Sequence, residues 1–119
     1  YCMSAEERRH IIQYIDSTPF FMDVDVNGTP YHLVHGHPTA DNNNDHRIWK
    51  RVSKGEKVEW PCMVIVGHTP TVFLADDTTP FFSIFHGDGF IDIDCGCGNK
   101  TEKRRLACLR LDDMKEYYI

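Results

Sequence analysis

The chain has 119 residues, 41% of them hydrophobic, and a formal net charge of −5. These values predict one globular domain over residues 1–119 and give no reason to expect nucleic acid or a membrane as a partner. It contains no apolar run of the roughly 18 residues that a membrane span needs. The N-terminal segment YCMSAEERRH lacks the apolar core of a secretory signal, and the five cysteines are scattered. We therefore expect reduced thiols and a cytoplasmic location. Because the chain begins with Tyr1 and Cys2, we also expect it to be part of a longer protein.

The first predicted element is a helix over residues 4–15. Ser4 and Glu7 have the spacing of a capping box, in which each residue satisfies a main-chain donor of the other. An apolar stripe follows at helical spacing, formed by Ile11, Ile12 and Ile15. Pro19 limits how far the helix can continue.

A β-hairpin is predicted next. Residues 20–26 alternate apolar and acidic side chains, which is the period of a strand. Asn27-Gly28 is a strong signal for a two-residue hairpin turn, so residues 31–34 form the returning strand. This strand ends directly at His35.

The middle of the chain is predicted to contain a loop, a short helix and a buried strand. Residues 36–46 are almost entirely polar and form the loop. Asp45 is predicted to cap a helix that ends at Gly55 and carries Ile48, Trp49 and Val52 on one side. Residues 61–66 form an apolar strand that stops at Gly67-His68.

The last third is predicted to be strands. Residues 81–85 and 90–93 form strands around a turn at residues 86–89, and residues 106–111 and 116–119 form a closing hairpin. Cys62 and Cys108 lie in apolar runs, which predicts buried thiols. The expected class is a strand-rich α+β fold with two helices.

Two of the seven histidines lie at positions typical of a site. His35 and His68 each follow an apolar strand directly, so a rigid backbone positions the imidazole while loops leave it accessible. A neutral imidazole held in this way is a common metal ligand, although isolated histidines usually are not ligands. His10 and His32 lack such a context, and surface or structural roles are expected for them.

Arg51 is the third candidate site residue. Its guanidinium is a planar fork that can bind two phosphate oxygens together. A solvated surface charge is the equally simple alternative for this residue taken alone.

Taken in order, several motifs resemble the C-terminal half of a calcineurin-like metallophosphoesterase. They are Leu33-Val34-His35-Gly36, Ile48-Trp49-Lys50-Arg51, Val64-Ile65-Val66-Gly67-His68-Thr69-Pro70 and Ile93-Asp94-Cys95-Gly96, followed by a closing strand pair. The resemblance covers about residues 30–119. It is strongest to the bacterial and phage serine/threonine protein phosphatases, which are related to the symmetrical dinucleoside tetraphosphatases.

The resemblance implies a fold, a chemistry and residue roles. The fold is a β-sandwich flanked by helices, of which this chain supplies one half. Two divalent metals (Mn, Fe or Zn) polarise a phosphoryl group and generate a hydroxide nucleophile. His35 and His68 would ligate the second metal, Arg51 would hold the phosphate of a phosphorylated substrate, and Asp94 would order the backbone around the site.

Departures from the family pattern limit what this chain can do alone. The Asp-x-His, GDxxDRG and GNHE motifs of the family's first half are absent from the sequence. We therefore expect at most one partial metal site and no hydrolysis by these residues alone, with His37 as a possible extra ligand. Without the other half, apolar surface around Phe81, Phe82, Phe85 and Phe90 would be uncovered and would favour self-association.

Two alternatives remain open from sequence. His35, His37 and His68 together with Cys95 and Cys97 would form a small zinc-binding or interaction module, although the Cys-x-Cys spacing is shorter than usual. The chain would otherwise be a non-catalytic remnant that serves as a scaffold.

Overall fold

The computed structural model describes residues 2–77 and 80–119. Within this part the chain folds into α- and 3₁₀-helices and β-strands, whose bounds follow in chain order. They are α1 Ala5–Ser17, β1 Phe21–Val26, β2 Thr29–Val34, α2 Asn44–Trp49, β3 Met63–Val66, a 3₁₀ helix Thr71–Phe73, β4 Phe85–His86, β5 Phe90–Asp92, β6 Ala107–Arg110 and β7 Lys115–Tyr118.

The strands form a mixed five-stranded sheet and a separate hairpin. The order in the large sheet is β1-β2-β3-β5-β4, and β6 pairs with β7. The neighbours β2, β3 and β5 run parallel, whereas β1 and β4 are antiparallel edge strands. The α+β class predicted from the sequence is confirmed. Because the three central strands are parallel, their carboxyl ends lie at one edge of the sheet, where open α/β sheets commonly bind ligands.

Local sequence signals account for the first helix and the first hairpin. The Ser4 hydroxyl accepts a hydrogen bond from the Glu7 main-chain N–H at 3.2 Å, and the Glu7 carboxylate accepts one from the Ser4 N–H at 2.7 Å. Asn27 and Gly28 both adopt positive φ angles, 54° and 81°, as a type I′ hairpin turn requires. The predicted capping box and hairpin turn are both confirmed.

Both faces of the central strands are packed. One face is covered by the segments around residues 52–58 and 74. The apolar cluster buried there consists of Val34, Val52, Val58, Val64, Val66, Leu74 and Phe90. The other face packs against the β6–β7 hairpin and buries Tyr31, Ile65, Ile84, Ile91 and Cys95. Each such side chain contributes about 1.5–3 kcal/mol when it is fully buried. This double coverage holds the central strands in place.

The second helix differs from its prediction. Asn43 caps it, accepting from the His46 N–H at 3.2 Å, so Asp45 is not the cap. The helix ends at Trp49 because Lys50 takes an extended conformation. Arg51 therefore lies beyond the helix, and the residues after it belong to an irregular segment rather than to a helix that continues to Gly55.

The predicted strand 81–85 is also wrong over most of its length. Phe82 has a φ of 57°, a left-handed conformation that no strand accommodates, and pairing begins only at Phe85. Phe82 and Phe90 are buried, at 8% and 1% exposure, so the apolar surface expected around these aromatics is largely covered. Phe81, at 59% exposure, is the exception.

Exposed apolar side chains lie instead on α1. Its stripe of Ile11, Ile12 and Ile15 is 44–59% exposed, and the helix buries none of its residues. Within residues 2–77 and 80–119, no helix has both the length and the apolar character to cross a bilayer. Cys108 is exposed and Cys62 is partly exposed, contrary to the predicted buried thiols, because neither side chain packs into the two clusters.

Candidate functional site

The two predicted histidines lie next to each other at the carboxyl edge of the sheet. His35 follows β2 directly, and His68 comes two residues after β3. Their ring centroids are 4.9 Å apart, with the ring planes inclined by 53°. The Gly67 N–H donates to the His35 carbonyl at 3.0 Å, which extends the β2–β3 ladder up to the pair.

Gly36 allows α2 to approach the end of β2. Its N–H donates to the Arg47 carbonyl at 2.6 Å. A Cβ atom at this position would lie 2.9 Å from the carbonyl oxygens of His46 and Lys50. Only glycine leaves room for this approach, which brings the last turn of α2 against the strand end.

Gly67 has no such steric role. A Cβ atom there would lie 3.7 Å from the His35 carbonyl oxygen and 3.9 Å from its Nδ1 atom, which are ordinary contacts. The packing of the protein therefore requires glycine at position 36 and not at position 67.

Trp49 orients the His68 ring. The two rings meet edge to face with centroids 5.8 Å apart. The Trp49 main chain is also close enough to the His68 imidazole to act on its pKa, in the direction that raises it. Trp49 is 66% exposed, so its indole also faces the space outside the pair.

The electrostatic environment favours a neutral His68. Partial burial lowers the pKa of its imidazole, and the charge of Arg51 and the neighbouring His35 ring lower it further. The Trp49 main chain and the Asp94 carboxylate act in the opposite direction but do not prevail. A neutral imidazole keeps the lone pair that a metal ion requires.

Arg51 and Asp94 complete the surroundings of the pair. The exposed Arg51 is near enough for its charge to act on His68. Asp94 follows β5 and accepts from the Gly96 N–H at 3.0 Å through Oδ1. Its carbonyl accepts from the Thr71 N–H at 2.9 Å, which ties the loop after His68 to the end of β5. These bonds agree with the backbone-ordering role that the resemblance implied for Asp94.

His37 is not placed to ligate a metal with the pair. Its Nδ1 lies 2.8 Å from the Pro38 carbonyl oxygen, and its Nε2 lies 2.9 Å from a Glu56 carboxylate oxygen. Both ring nitrogens are thus engaged with protein acceptors. The suggestion that His37 is an extra ligand is wrong for this arrangement.

His32 lies in a structural position, which is one of the two roles expected for it. It is 3% exposed and lies between the rings of Phe21 and Trp60, at centroid distances of 5.1 and 4.9 Å. Its Nδ1 pairs with the Asp23 carboxylate at 2.6 Å. His10 is exposed on α1.

An open apolar groove of about 650 Å³ leads from the histidine pair along one face of the sheet. The side chains that line it include Phe20, Met22, Leu33, Ile65 and Ile93. Phe20 and Met22 remain 47% and 52% exposed, so this groove, like α1, offers apolar surface for self-association. That association stays a prediction.

The ligand chemistry fits part of a metal site. A zinc–nitrogen bond is about 2.0–2.1 Å, and two neutral imidazoles this close can contact one ion. Among residues 2–77 and 80–119, however, no group of three or more His, Cys, Asp or Glu side chains is placed to hold an ion. The four-ligand zinc site suggested from the histidines with Cys95 and Cys97 is therefore not assembled.

Comparison with models of known protein families and with curated proteins gave no match. A functional assignment therefore depends on the residues of the site and their geometry.

Sequence reasoning missed how Trp49 and the turn after β3 shape the site. In the sequence, Trp49 is recognisable only as part of a motif and as an apolar helix residue. The left-handed conformation of His68, with φ of 62°, had no clear signal, although Pro70 indicated that the strand would stop.

Proposed function

We propose that this chain carries one half of a calcineurin-like metallophosphoesterase site. The complete site would hydrolyse phosphate monoesters, with phosphoserine or phosphothreonine in a protein as the substrate. The observation that carries the proposal is the 4.9 Å separation of the His35 and His68 rings at the carboxyl ends of adjacent parallel strands. This is the juxtaposition that the motif order would require.

His35 and His68 would hold a divalent metal ion through neutral imidazole nitrogens. Mn²⁺, Fe²⁺ and Zn²⁺ all accept such ligands. A divalent ion in this place would supply Lewis acidity toward a phosphoryl oxygen. The lowered pKa of His68 supports this role, because it favours the neutral ring that a metal ion binds.

Arg51 would bind the phosphate. Its exposed guanidinium can place two parallel N–H donors on two phosphoryl oxygens, and it can stabilise the negative charge that develops there. Its effect on His68 supports a position beside the metal ligands.

Metal binding by the His35–His68 pair is the first test. Mn²⁺ is paramagnetic, so adding it to the ¹⁵N/¹³C-labelled chain should broaden the ring signals of both histidines before others. His35→Ala and His68→Ala should each weaken Mn²⁺ binding at least tenfold, whereas the exposed His10→Ala on α1 serves as the matched control and should not. Equal broadening of all exposed histidines would contradict the proposal.

Phosphate recognition is the second test. With Mn²⁺ present, inorganic phosphate should bind, and Arg51→Ala should reduce its affinity. Lys57→Ala, which removes an exposed cation paired with Glu59, is the control and should leave it unchanged. Two ligands are fewer than the three that catalytic zinc sites use, so we expect no turnover of para-nitrophenyl phosphate by this chain alone.

The exposed indole of Trp49 favours a second candidate substrate. A flat aromatic ring beside a phosphate site can stack on a nucleobase, as hydrolysis of a symmetrical dinucleoside tetraphosphate would require. Binding of a non-hydrolysable dinucleotide that is lost on Trp49→Ala, with phosphopeptide binding retained, would favour this substrate over a phosphoprotein.

A further inference from the structure

Asp92 is a carboxylic acid buried in the middle of the sheet. It is the last residue of β5, and it is 0% exposed. On either side it lies opposite Val66 of β3 and Phe85 of β4. Burial in such apolar surroundings strongly disfavours the ionised carboxylate, so the neutral acid is the stable form.

Its two oxygens have different environments. Oδ1 accepts from the Asp94 N–H at 2.9 Å. Oδ2 is buried and, within the part of the chain that the structure describes, has no hydrogen-bond partner. The Thr69 hydroxyl is likewise buried and has no partner among residues 2–77 and 80–119. Because Oδ2 has no partner in this part of the chain, no positively charged group is bonded to it that would favour loss of its proton.

We propose that Asp92 is a positioning residue for the candidate site, held as an uncharged acid whose ionisation displaces the Asp94 main chain and the turn that follows His68. This role concerns the chain's own residues and does not depend on the proposed phosphoesterase activity.

The surrounding charges agree with a neutral Asp92. Burial raises the pKa of its carboxyl to about 8, and the negative charge of Asp94 contributes to the increase. The hydrogen bond from the Asp94 N–H acts in the opposite direction. The neighbouring Cys95 thiol also has a raised pKa, so it stays uncharged over the same range. β3 and β4 place the apolar Val66 and Phe85 opposite Asp92.

Hydrogen bonds and one electrostatic contact connect Asp92 to His68 without a break. Asp92 holds the Asp94 N–H, and the Asp94 carbonyl holds the Thr71 N–H at 2.9 Å. Thr71 lies three residues after His68, and the Asp94 carboxylate itself acts on the His68 ring. A second negative charge at Asp92 would repel Asp94 at the base of this chain of contacts.

Carboxyl ¹³C NMR of the wild-type chain tests the proposal directly. The Asp92 Cγ signal should titrate near pH 8 rather than near the ordinary value for Asp, which is about 4. The amide signals of Asp94 and Thr71 and the ring signals of His68 should shift with the same midpoint. A purely structural acid would titrate without moving the His68 ring.

Two variants sharpen the test. Asp92→Asn keeps the oxygen that accepts from Asp94, and it should abolish the shift near pH 8 at all three reporters. Asp94→Asn removes the repelling charge, and it should lower the Asp92 midpoint. From about pH 4 to about pH 8, the unfolding equilibrium constant of the wild type should rise about tenfold per pH unit relative to Asp92→Asn.

Either of two results would overturn the proposal. An Asp92 midpoint near 4 would show that the acid is not held neutral. A midpoint near 8 with unmoved Asp94, Thr71 and His68 signals would show that it positions nothing. Failure of Mn²⁺ binding would reject the proposed function and leave both of these measurements intact.

Discussion

Two glycines lie beside the site histidines, and replacing each with alanine tests which of them the packing of the protein requires. Gly36 and Gly67 each follow or precede a site histidine, and neither has a positive φ. The backbone conformation therefore permits alanine at both positions, and only the surroundings of the new methyl group differ.

At Gly36 the methyl group would collide with main-chain atoms. Its Cβ would lie 2.9 Å from the His46 and Lys50 carbonyl oxygens and 3.0 Å from that of Arg47. These main-chain oxygens belong to α2 and to Lys50, the residue that follows it, and they cannot rotate away as a flexible side chain would. Overpacking costs about 1–3 kcal/mol, whereas the reduced entropy of the unfolded chain returns about 0.4–1 kcal/mol. We expect Gly36→Ala to lower the free energy of unfolding by about 1–2 kcal/mol.

At Gly67 the same change should be harmless. The nearest atoms would lie at 3.7 and 3.9 Å, so the entropic term alone should act and the variant should be unchanged or up to about 1 kcal/mol more stable. Urea unfolding followed by fluorescence measures both differences. In Gly36→Ala the displaced α2 should also move the His68 ring signals through Trp49.

Equal stability of the two variants would refute the reasoning, because the only difference invoked is the distance from the added methyl group to main-chain oxygens. A destabilised Gly36→Ala with unmoved His68 signals would show that α2 can shift without affecting the site.

Three further substitutions test other parts of the structure. His68→Asn should destabilise the chain less than His35→Asn, because asparagine tolerates the left-handed conformation of His68. The difference between the two free energies of unfolding should be about 0.5–1 kcal/mol in urea, and the reverse order would count against backbone strain at His68. Asp23→Ala should cost about 1–3 kcal/mol, since it leaves the Nδ1 atom of the buried His32 without a partner; a neutral result in thermal unfolding would show that water replaces the carboxylate. His37→Ala should lower stability and leave Mn²⁺ affinity unchanged; a tenfold loss of affinity in calorimetric titration would restore it as a ligand.

The elements that the sequence predicted well are those set by neighbouring residues. The hairpin depends on Asn27-Gly28 and the first helix on Ser4 and Glu7, and in both cases the deciding contacts span three residues or fewer. The end of α2 and the conformation of Phe82 depend instead on distant segments. The Gly36–Arg47 hydrogen bond fixes the last turn of α2, and Phe82 packs where a Cβ on Gly96 would touch its ring at 2.7 Å. No periodicity in the sequence carries that information.

The candidate site divides in the same way. The meeting of His35 and His68 was predictable in outline, because each follows an apolar strand and parallel strands share an edge. The engagement of His37 with Glu56 and the placement of the Trp49 indole required the fold of the loop after β2. The polar loop offered no pattern from which either could be deduced.

The register of the central strands shows why the histidine pair needs a distorted backbone. Leu33 pairs with Ile65, so continuing the register places Gly67 opposite His35 and puts His68 one residue further on. Since successive side chains of a strand project to opposite faces, an extended chain would direct His68 away from His35. The left-handed φ of 62° at His68 breaks that alternation and returns the ring to within 4.9 Å of its partner.

The left-handed conformation costs roughly 1–2 kcal/mol for a residue other than glycine. The fold therefore holds a histidine at a position where Gly or Asn would be preferred. Residues held against local preference are concentrated at functional sites, where the arrangement they produce is what the surrounding structure maintains. Phe82 and Met114 adopt the same left-handed conformation elsewhere in the chain. The backbone of His68 therefore supports a site through what it achieves, which is to bring the ring beside His35.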